Sequence, residues 1–62
     1  MTERQARKRA RDLWTSDKGV GDVWKDKGKL CVGINDLWGD RQVYGEGQSW
    51  EEAFTDARNN GY

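Results

Sequence analysis

The stretch GEGQSWEEAF, residues 45–54, joins a short alternating segment to an amphipathic one. Ser49 is a favourable N-cap residue, and Glu52 three positions later completes a capping-box pattern. The apolar residues that follow recur at i, i+3, i+4 and i+7, namely Trp50, Ala53, Phe54 and Ala57. This spacing predicts a helix over residues 49–60, ended by the sequence NNG at residues 59–61.

The glycines of this stretch also raise the alternative of a phosphate-binding loop. Gly45 and Gly47 precede a predicted helix N-terminus, where backbone amides attract anions. Three carboxylates crowd the same place and would repel a phosphate: Glu46, Glu51 and Glu52. A phosphate loop requires a lysine after its glycines, and no lysine follows Gly45 and Gly47. We therefore interpret the stretch as a strand-to-helix turn whose acidic first turn complements the helix dipole.

Three short segments upstream of the helix have the pattern of β-strands. In residues 29–35, the apolar residues Leu30, Val32 and Ile34 alternate with Lys29, Cys31 and Gly33, so one face is predicted core and the other exposed or facing a partner. A strand over residues 21–26 precedes this segment, and RQVYG at residues 41–45 follows it. The connections DKGK and NDLWGD are short, which predicts an antiparallel meander.

Residues 2–14 predict one more helix, which ends near TSDKG at residues 15–19. Its apolar stripe consists of Ala6, Ala10, Leu13 and Trp14. An adjacent arc carries four cations, here called the basic arc: Arg4, Arg7, Lys8 and Arg11. Arg9 lies on the other side of the stripe. The predicted fold class is α+β, a single α-β-β-β-α domain over residues 1–62 whose three-stranded meander is packed by helices.

The composition sets further limits on the chain. A domain of 62 residues is marginally stable, and its lone cysteine, Cys31, allows no internal disulfide and fits a cytoplasmic setting. At least two of the four tryptophans are expected in the core, and a homodimer would be a further source of burial. No apolar run reaches the roughly 20 residues of a membrane span, and no hydrophobic segment follows the basic N-terminus as in a secretory signal.

The residue inventory predicts that the chain is not an enzyme. It contains no histidine, so the commonest general base is absent. Cys31 has no candidate base beside it in the strand, and the acidic residues show no metal-ligand spacing. We therefore predict no catalytic residue, no metal site and no cofactor.

The net charge of zero hides an asymmetry between the two halves. Residues 1–31 carry nine Lys/Arg and five Asp/Glu, whereas residues 32–62 carry two and six, which gives +4 and −4. This split suggests a polyanion partner or a charged contact with another protein, although pairing of the two halves within the fold is an alternative.

Two surfaces are candidates for nucleic-acid binding. The basic arc presents enough cations to contact a phosphate backbone, unless it is only a solvated helix face. The solvent side of the sheet is expected to carry Lys29, Cys31, Gln42 and Tyr44, joined by either Lys25 or Trp24 according to the register of the first strand. Aromatic and basic side chains there could contact bases. Alternatively, Trp24 and Tyr44 cover the first helix.

Residues 21–57 resemble the three-stranded sheet and helix of plant ethylene-response DNA-binding domains and phage-integrase arm-binding domains. The resemblance is carried by GK at residues 28–29, GDR at residues 39–41, and a glycine four positions before a Ser/Thr that precedes Glu-Glu-Ala, here Gly45, Ser49, Glu51, Glu52 and Ala53. In those families the sheet lies in the major groove. The resemblance implies that Trp24, Lys25, Lys29 and Arg41 approach DNA.

The same region is similar to HicB-type antitoxins, which end a hairpin with Asp-Leu-x-Gly, here Asp36, Leu37 and Gly39, followed by GQSWEEA. That family implies a small RNase toxin as partner, although Trp38 stands where its turn usually has proline. The order α-β-β-β-α is also that of double-stranded-RNA-binding domains, but Glu51 and Glu52 replace the lysines that begin their last helix.

The leading hypothesis is a small cytoplasmic accessory protein that binds nucleic acid, DNA rather than RNA, and is of phage origin if the integrase resemblance holds. The alternative hypothesis is a protein-interaction module, antitoxin-like or inhibitory, that docks on a partner enzyme and regulates it. A steep salt dependence of binding is expected for the first and a nearly flat one for the second.

Overall fold

The structure, a computed structural model, describes residues 1–62. Its elements follow the predicted order and consist of α1 (Glu3–Trp14), β1 (Gly19–Asp26), β2 (Lys29–Asp36), β3 (Arg41–Gly47) and α2 (Trp50–Asn59). The strands form one antiparallel sheet in the order β1-β2-β3. The predicted α+β meander is thereby confirmed.

Local signals define the ends of most elements. Lys27 and Gly28 form the two-residue turn between β1 and β2, and both have positive φ, 52° and 81°, as such hairpin turns require. At the start of α2 the Ser49 hydroxyl accepts a hydrogen bond from the Glu52 backbone N–H. The Glu52 carboxylate bonds the backbone of Gln48 instead of Ser49, so the predicted capping box is only half formed. A complete box lies at the start of α1.

Both helices pack on the same side of the sheet, α1 mainly over β1 and α2 mainly over β3. A side chain at Gly21 would overlap the backbone of Ala10, and one at Gly45 would overlap the backbone of Ala53. These glycines therefore let the helices approach the strands closely, and Gly45 has a packing role. The core between the two layers contains Ala6, Ala10, Val23, Val32, Trp50, Ala53, Phe54 and Ala57.

A register shift in β3 changes which of its side chains face the helices. Val32 pairs with Gly45 but the next residue, Gly33, pairs with Val43, so Tyr44 is an extra residue. Because of this extra residue, the side chains of residues 41–43 face the opposite side of the sheet from the one that simple alternation back from Gly45 predicts. Tyr44 itself packs on the helix side, with its ring centroid 5.3 Å from that of Trp14. Gln42 lies opposite Ile34 and shares its side. The prediction that Tyr44 and Gln42 face away from the helices was therefore wrong, and for Tyr44 the alternative of a contact with the first helix is the one observed.

Two further expectations about burial were wrong. Leu13 is 55% exposed, because Ala6, Ala10 and Trp14 define the packing face of α1 and Leu13 lies at its margin. Cys31 points away from the helices yet is only 2% exposed, beside its cross-strand neighbour Trp24. Trp24 and Trp50 are buried, as expected of at least two tryptophans.

Candidate nucleic-acid interface

The structure places the four cations of the basic arc on one surface of α1. Arg4, Arg7, Lys8 and Arg11, together with Gln5 and Asp12, line a depression of about 720 Å³. Arg4, Lys8 and Arg11 are exposed, whereas Arg7 is half-buried. No apolar side chain lines this surface, so its interactions are electrostatic and hydrogen-bonding ones.

Arg7 differs from the other three cations because it holds α1 on the edge of the sheet. Its Nε donates to Asp22 Oδ1 at 3.0 Å, and its Nη2 lies 3.5 Å from both the Val23 carbonyl and the Glu3 carboxylate. The hydrogen bond to Asp22 raises the pKa of Arg7 above its ordinary value. The guanidinium is therefore largely committed to contacts within the fold.

Asp22 was not recognised from the sequence as part of this region. Burial raises the pKa of its carboxyl, but hydrogen bonds from the Val23 backbone, Arg7 and Asn35 outweigh burial and lower the pKa below its ordinary value. Arg7 and Asp22 are 15 positions apart, and no local pattern pairs a helix residue with a strand residue at that distance. Only the packing of α1 on β1 brings them together.

An Asp22→Asn substitution should remove about 1–2 kcal/mol of stability at neutral pH, because the negative charge beside Arg7 is lost and an amide nitrogen replaces the oxygen that accepts from Asn35. Since the pKa of Asp22 is lower in the folded state, its stabilisation is complete above the ordinary pKa of aspartate and lost as the pH falls through the lowered value. Urea denaturation of wild type and Asp22→Asn between pH 7 and roughly pH 2–3 measures the difference in their free energies of unfolding.

The difference between wild type and Asp22→Asn should shrink at the acidic end of that range. The control is Glu3→Gln, which removes the other, more exposed carboxylate near Arg7 and should change stability far less. Equal stability of Asp22→Asn and wild type at neutral pH would show that the Arg7 contact does not hold α1.

The other cations of the basic arc are free or weakly paired. Lys8 Nζ lies 3.2 Å from Asp12 Oδ2, and both side chains are mostly exposed. Such i, i+4 pairs contribute little to stability and are screened by salt. Arg4 and Arg11 take part in none of the five ion pairs of the chain. Three cations can therefore turn to an external anion without disturbing the fold.

The four predicted sheet residues do not form one surface with the basic arc. Trp24 is buried on the outer side of the sheet, defined here as the side opposite the helices, and the Arg41 guanidinium lies 5.1 Å from its ring centroid. Lys29 is paired with Glu46 at 3.4 Å. Lys25 pairs with Leu30 and therefore belongs to the helix side, so the register selects Trp24 for the outer side.

The outer side of the sheet also carries acidic residues. Strand pairing assigns to it the cations Lys29 and Arg41 and the carboxylates of Asp22, Asp26 and Glu46. Cys31 lies among them, and burial raises the pKa of its thiol, with further raising by the Glu46 and Asp26 carboxylates. The outer side is thus not a basic surface, and the lowering effect of Lys29 on the pKa of the Cys31 thiol is outweighed by burial and by the two carboxylates.

The charge asymmetry of the sequence persists on the folded surface. Only two ion pairs join the halves, one from the Met1 amino group to Glu51 and one from Lys29 to Glu46. The side of α2 next to the end of β3 is acidic and is lined by Glu46, Gly47, Glu51, Glu52, Thr55, Asp56 and Asn59. The basic arc and this acidic side therefore remain separate surfaces.

The chain matches no protein-family model, no curated protein and no solved structure. The resemblances to DNA-binding domains and to antitoxins therefore stay predictions. None of the helices has the length and apolar character needed to cross a membrane.

Proposed function

We propose that this protein binds the phosphate backbone of nucleic acid through the basic arc of α1. The observation that supports the proposal is the exposure of Arg4, Lys8 and Arg11 on one surface, where two of the three have no carboxylate partner. Cations on a single helix face suit a polyanion, since each one can neutralise a separate phosphate.

The chemistry of these side chains favours phosphate oxygens. Arg4 and Arg11 carry planar guanidinium groups, which donate two parallel hydrogen bonds to a phosphate. Lys8 can exchange its exposed contact with Asp12 for a phosphate at little energetic cost. Arg7 contributes indirectly, because its bond to Asp22 fixes α1 on the sheet and so fixes the direction of the arc.

The proposal does not include contacts between the sheet and the bases of the nucleic acid. Its outer side carries three carboxylates against two cations, and both cations already have partners within the fold. Backbone contacts position a protein on a duplex but do not read its sequence. Binding by the basic arc alone is therefore expected to be weak, sensitive to salt and largely independent of sequence.

The double substitution Arg4→Glu and Lys8→Glu tests this function. It reverses two charges of the arc without changing Ala6, Ala10 or Arg7, so the fold should be retained. Affinity for a mixed-sequence duplex, measured by fluorescence anisotropy over a range of salt concentrations, should fall for every sequence. The slope of log K against log salt should decrease by about two contacts, or ~1.8.

A control with the same change in net charge is Lys18→Glu with Lys27→Glu, since both residues are exposed in turns away from the arc. This control should lower affinity only slightly, through the overall electrostatic field of the protein, and the slope of log K against log salt should stay close to that of the wild type. Absence of binding by the wild type at low salt would refute the proposal. If the Arg4→Glu/Lys8→Glu variant then loses a protein partner that the wild type captures from nuclease-treated host extract, the hypothesis of a protein-interaction module replaces the nucleic-acid proposal.

A further inference from the structure

The turn between β2 and β3 displays the two most exposed large apolar side chains of the molecule. Leu37 is 75% and Trp38 is 89% exposed; together they are called the tip. Asp36 holds the turn, because its Oδ1 accepts hydrogen bonds from the backbone N–H groups of Trp38 and Asp40, each at 2.9 Å. Gly39 completes the turn with a φ of +85°. The tip is thus presented by a well-braced turn with carboxylates at both ends.

A second exposed apolar feature lies between the C-terminal halves of the two helices. The helices run parallel, since Met1 contacts Glu51 near their starts and Trp14 contacts Tyr62 near their ends. The groove between them, called the inter-helix groove, has a volume of about 160 Å³. Four apolar side chains and two arginines line it: Leu13, Trp14, Phe54 and Tyr62, with Arg9 and Arg58.

The tip and the inter-helix groove are complementary in size and in charge. A volume of 160 Å³ is well below the roughly 300–1,000 Å³ of small-molecule sites, whereas an apolar cavity of ~150 Å³ accommodates a benzene-sized ring. The groove therefore suits one aromatic side chain. Its Arg9 and Arg58 are favourable neighbours for an indole ring and for the carboxylates of Asp36 and Asp40 beside the tip.

Both features lie at the same end of the molecule. Helix α1 runs antiparallel to β1, because Arg7 contacts Asp22 whereas the later helix residue Ala10 lies against the earlier strand residue Gly21. The helix therefore ends near the start of β1. Gly19 at that start pairs with Asp36, the residue before the tip. The exposure of Trp38 shows that the tip does not occupy the groove of its own chain. Two copies that meet by these ends can each offer a tip to the other.

We propose that the occupant of the inter-helix groove is the Leu37–Trp38 tip of a second copy of this chain, in a two-fold dimer with two equivalent contacts. The inference is independent of the proposed nucleic-acid function. The same patch serves both subunits in such an arrangement, so the assembly closes at two. A contact of this small size is expected to be transient, with a dissociation constant in the micromolar range or weaker.

Analytical ultracentrifugation without nucleic acid should show a reversible change from 7.2 kDa monomers to dimers as the concentration rises from about 10 µM to 1 mM. Trp38→Ala removes both tryptophan anchors of the two-fold dimer, each worth about 30-fold in affinity, so this variant should stay monomeric over the same range. The control Val43→Ala removes an exposed apolar side chain from the outer side of the sheet and should leave dimerisation unchanged.

A mixing experiment separates a direct contact from an indirect effect on folding. Leu13→Glu keeps the tip but places a carboxylate on the apolar groove wall, where it repels Asp36 and Asp40 beside the tip of the second copy, so this variant alone should be monomeric. Mixed with Trp38→Ala, which keeps an intact groove, it should form heterodimers through the one remaining contact, more weakly than the wild-type dimer but more strongly than either variant associates with itself. Wild-type protein that stays monomeric throughout the concentration range, or dimers that persist in Trp38→Ala or in Leu13→Glu, would each overturn the proposal.

Discussion

Replacing Gly45 with alanine is expected to lower the free energy of unfolding by at least ~3 kcal/mol, the upper end of the range for overpacked sites. The added methyl group would overlap the Ala53 carbonyl oxygen and the backbone of Ala57. These atoms belong to the backbone of α2 and cannot move like a flexible side chain. Helix α2 would have to shift away from β3, which would weaken its contacts with the core.

Gly28→Ala is the matched control for this substitution. Gly28 has a φ of +81° but no neighbouring atom within 4 Å of an added side chain, so only the backbone conformation opposes alanine. A cost of roughly 1–2 kcal/mol is expected from that effect alone. Urea denaturation of the three proteins measures both changes. If Gly45→Ala were no less stable than Gly28→Ala, close approach of α2 to β3 would not be required for the fold.

Replacing Phe54 with alanine is expected to destabilise the domain by ~3–5 kcal/mol. Phe54 is buried in the core cluster, its ring is stacked on Trp14 with centroids 5.6 Å apart, and the Arg9 guanidinium lies 4.9 Å from its centroid. Loss of this ring leaves Trp14 with the Tyr44 ring as its remaining aromatic neighbour. Because a domain of 62 residues has little stability in reserve, we expect the variant to be largely unfolded at 25 °C.

Phe54→Leu should cost less than ~1.5 kcal/mol, since it retains most of the apolar volume, and it should unfold cooperatively. Thermal unfolding followed by far-ultraviolet circular dichroism distinguishes the two variants. A Phe54→Ala protein that melts cooperatively near the wild-type temperature would show that Phe54 does not support the core.

The order of elements could be predicted because its signals are local. The turn at Lys27 and Gly28, the cap at Ser49 and the apolar stripe of α2 each depend on residues within one or two turns of chain. Short connections then leave the antiparallel meander as the available topology. The clustering of the basic arc could also be predicted, because helix periodicity alone brings positions 4, 7, 8 and 11 to one surface.

The side-chain directions in β3 could not be predicted from alternation. One extra residue at Tyr44 reverses the assignment of Gln42 and Tyr44, and a bulge of this kind leaves no distinctive residue pattern. The wrong expectation for Leu13 has a related cause. An apolar stripe identifies the residues that can face a core, but the position of the neighbouring helix decides which of them are covered.

The sequence by itself determined the α-β-β-β-α order, the ends of the helices and the position of four cations on one arc, because these depend on interactions between residues close together in the chain. The tertiary structure alone decided that Arg7 bonds Asp22 and that Tyr44 turns to the helices. It also decided that Trp38 remains exposed while Leu13 and Tyr62 line a groove. These contacts join distant parts of the chain, and packing distances and strand register fix them in ways that local periodicity does not encode.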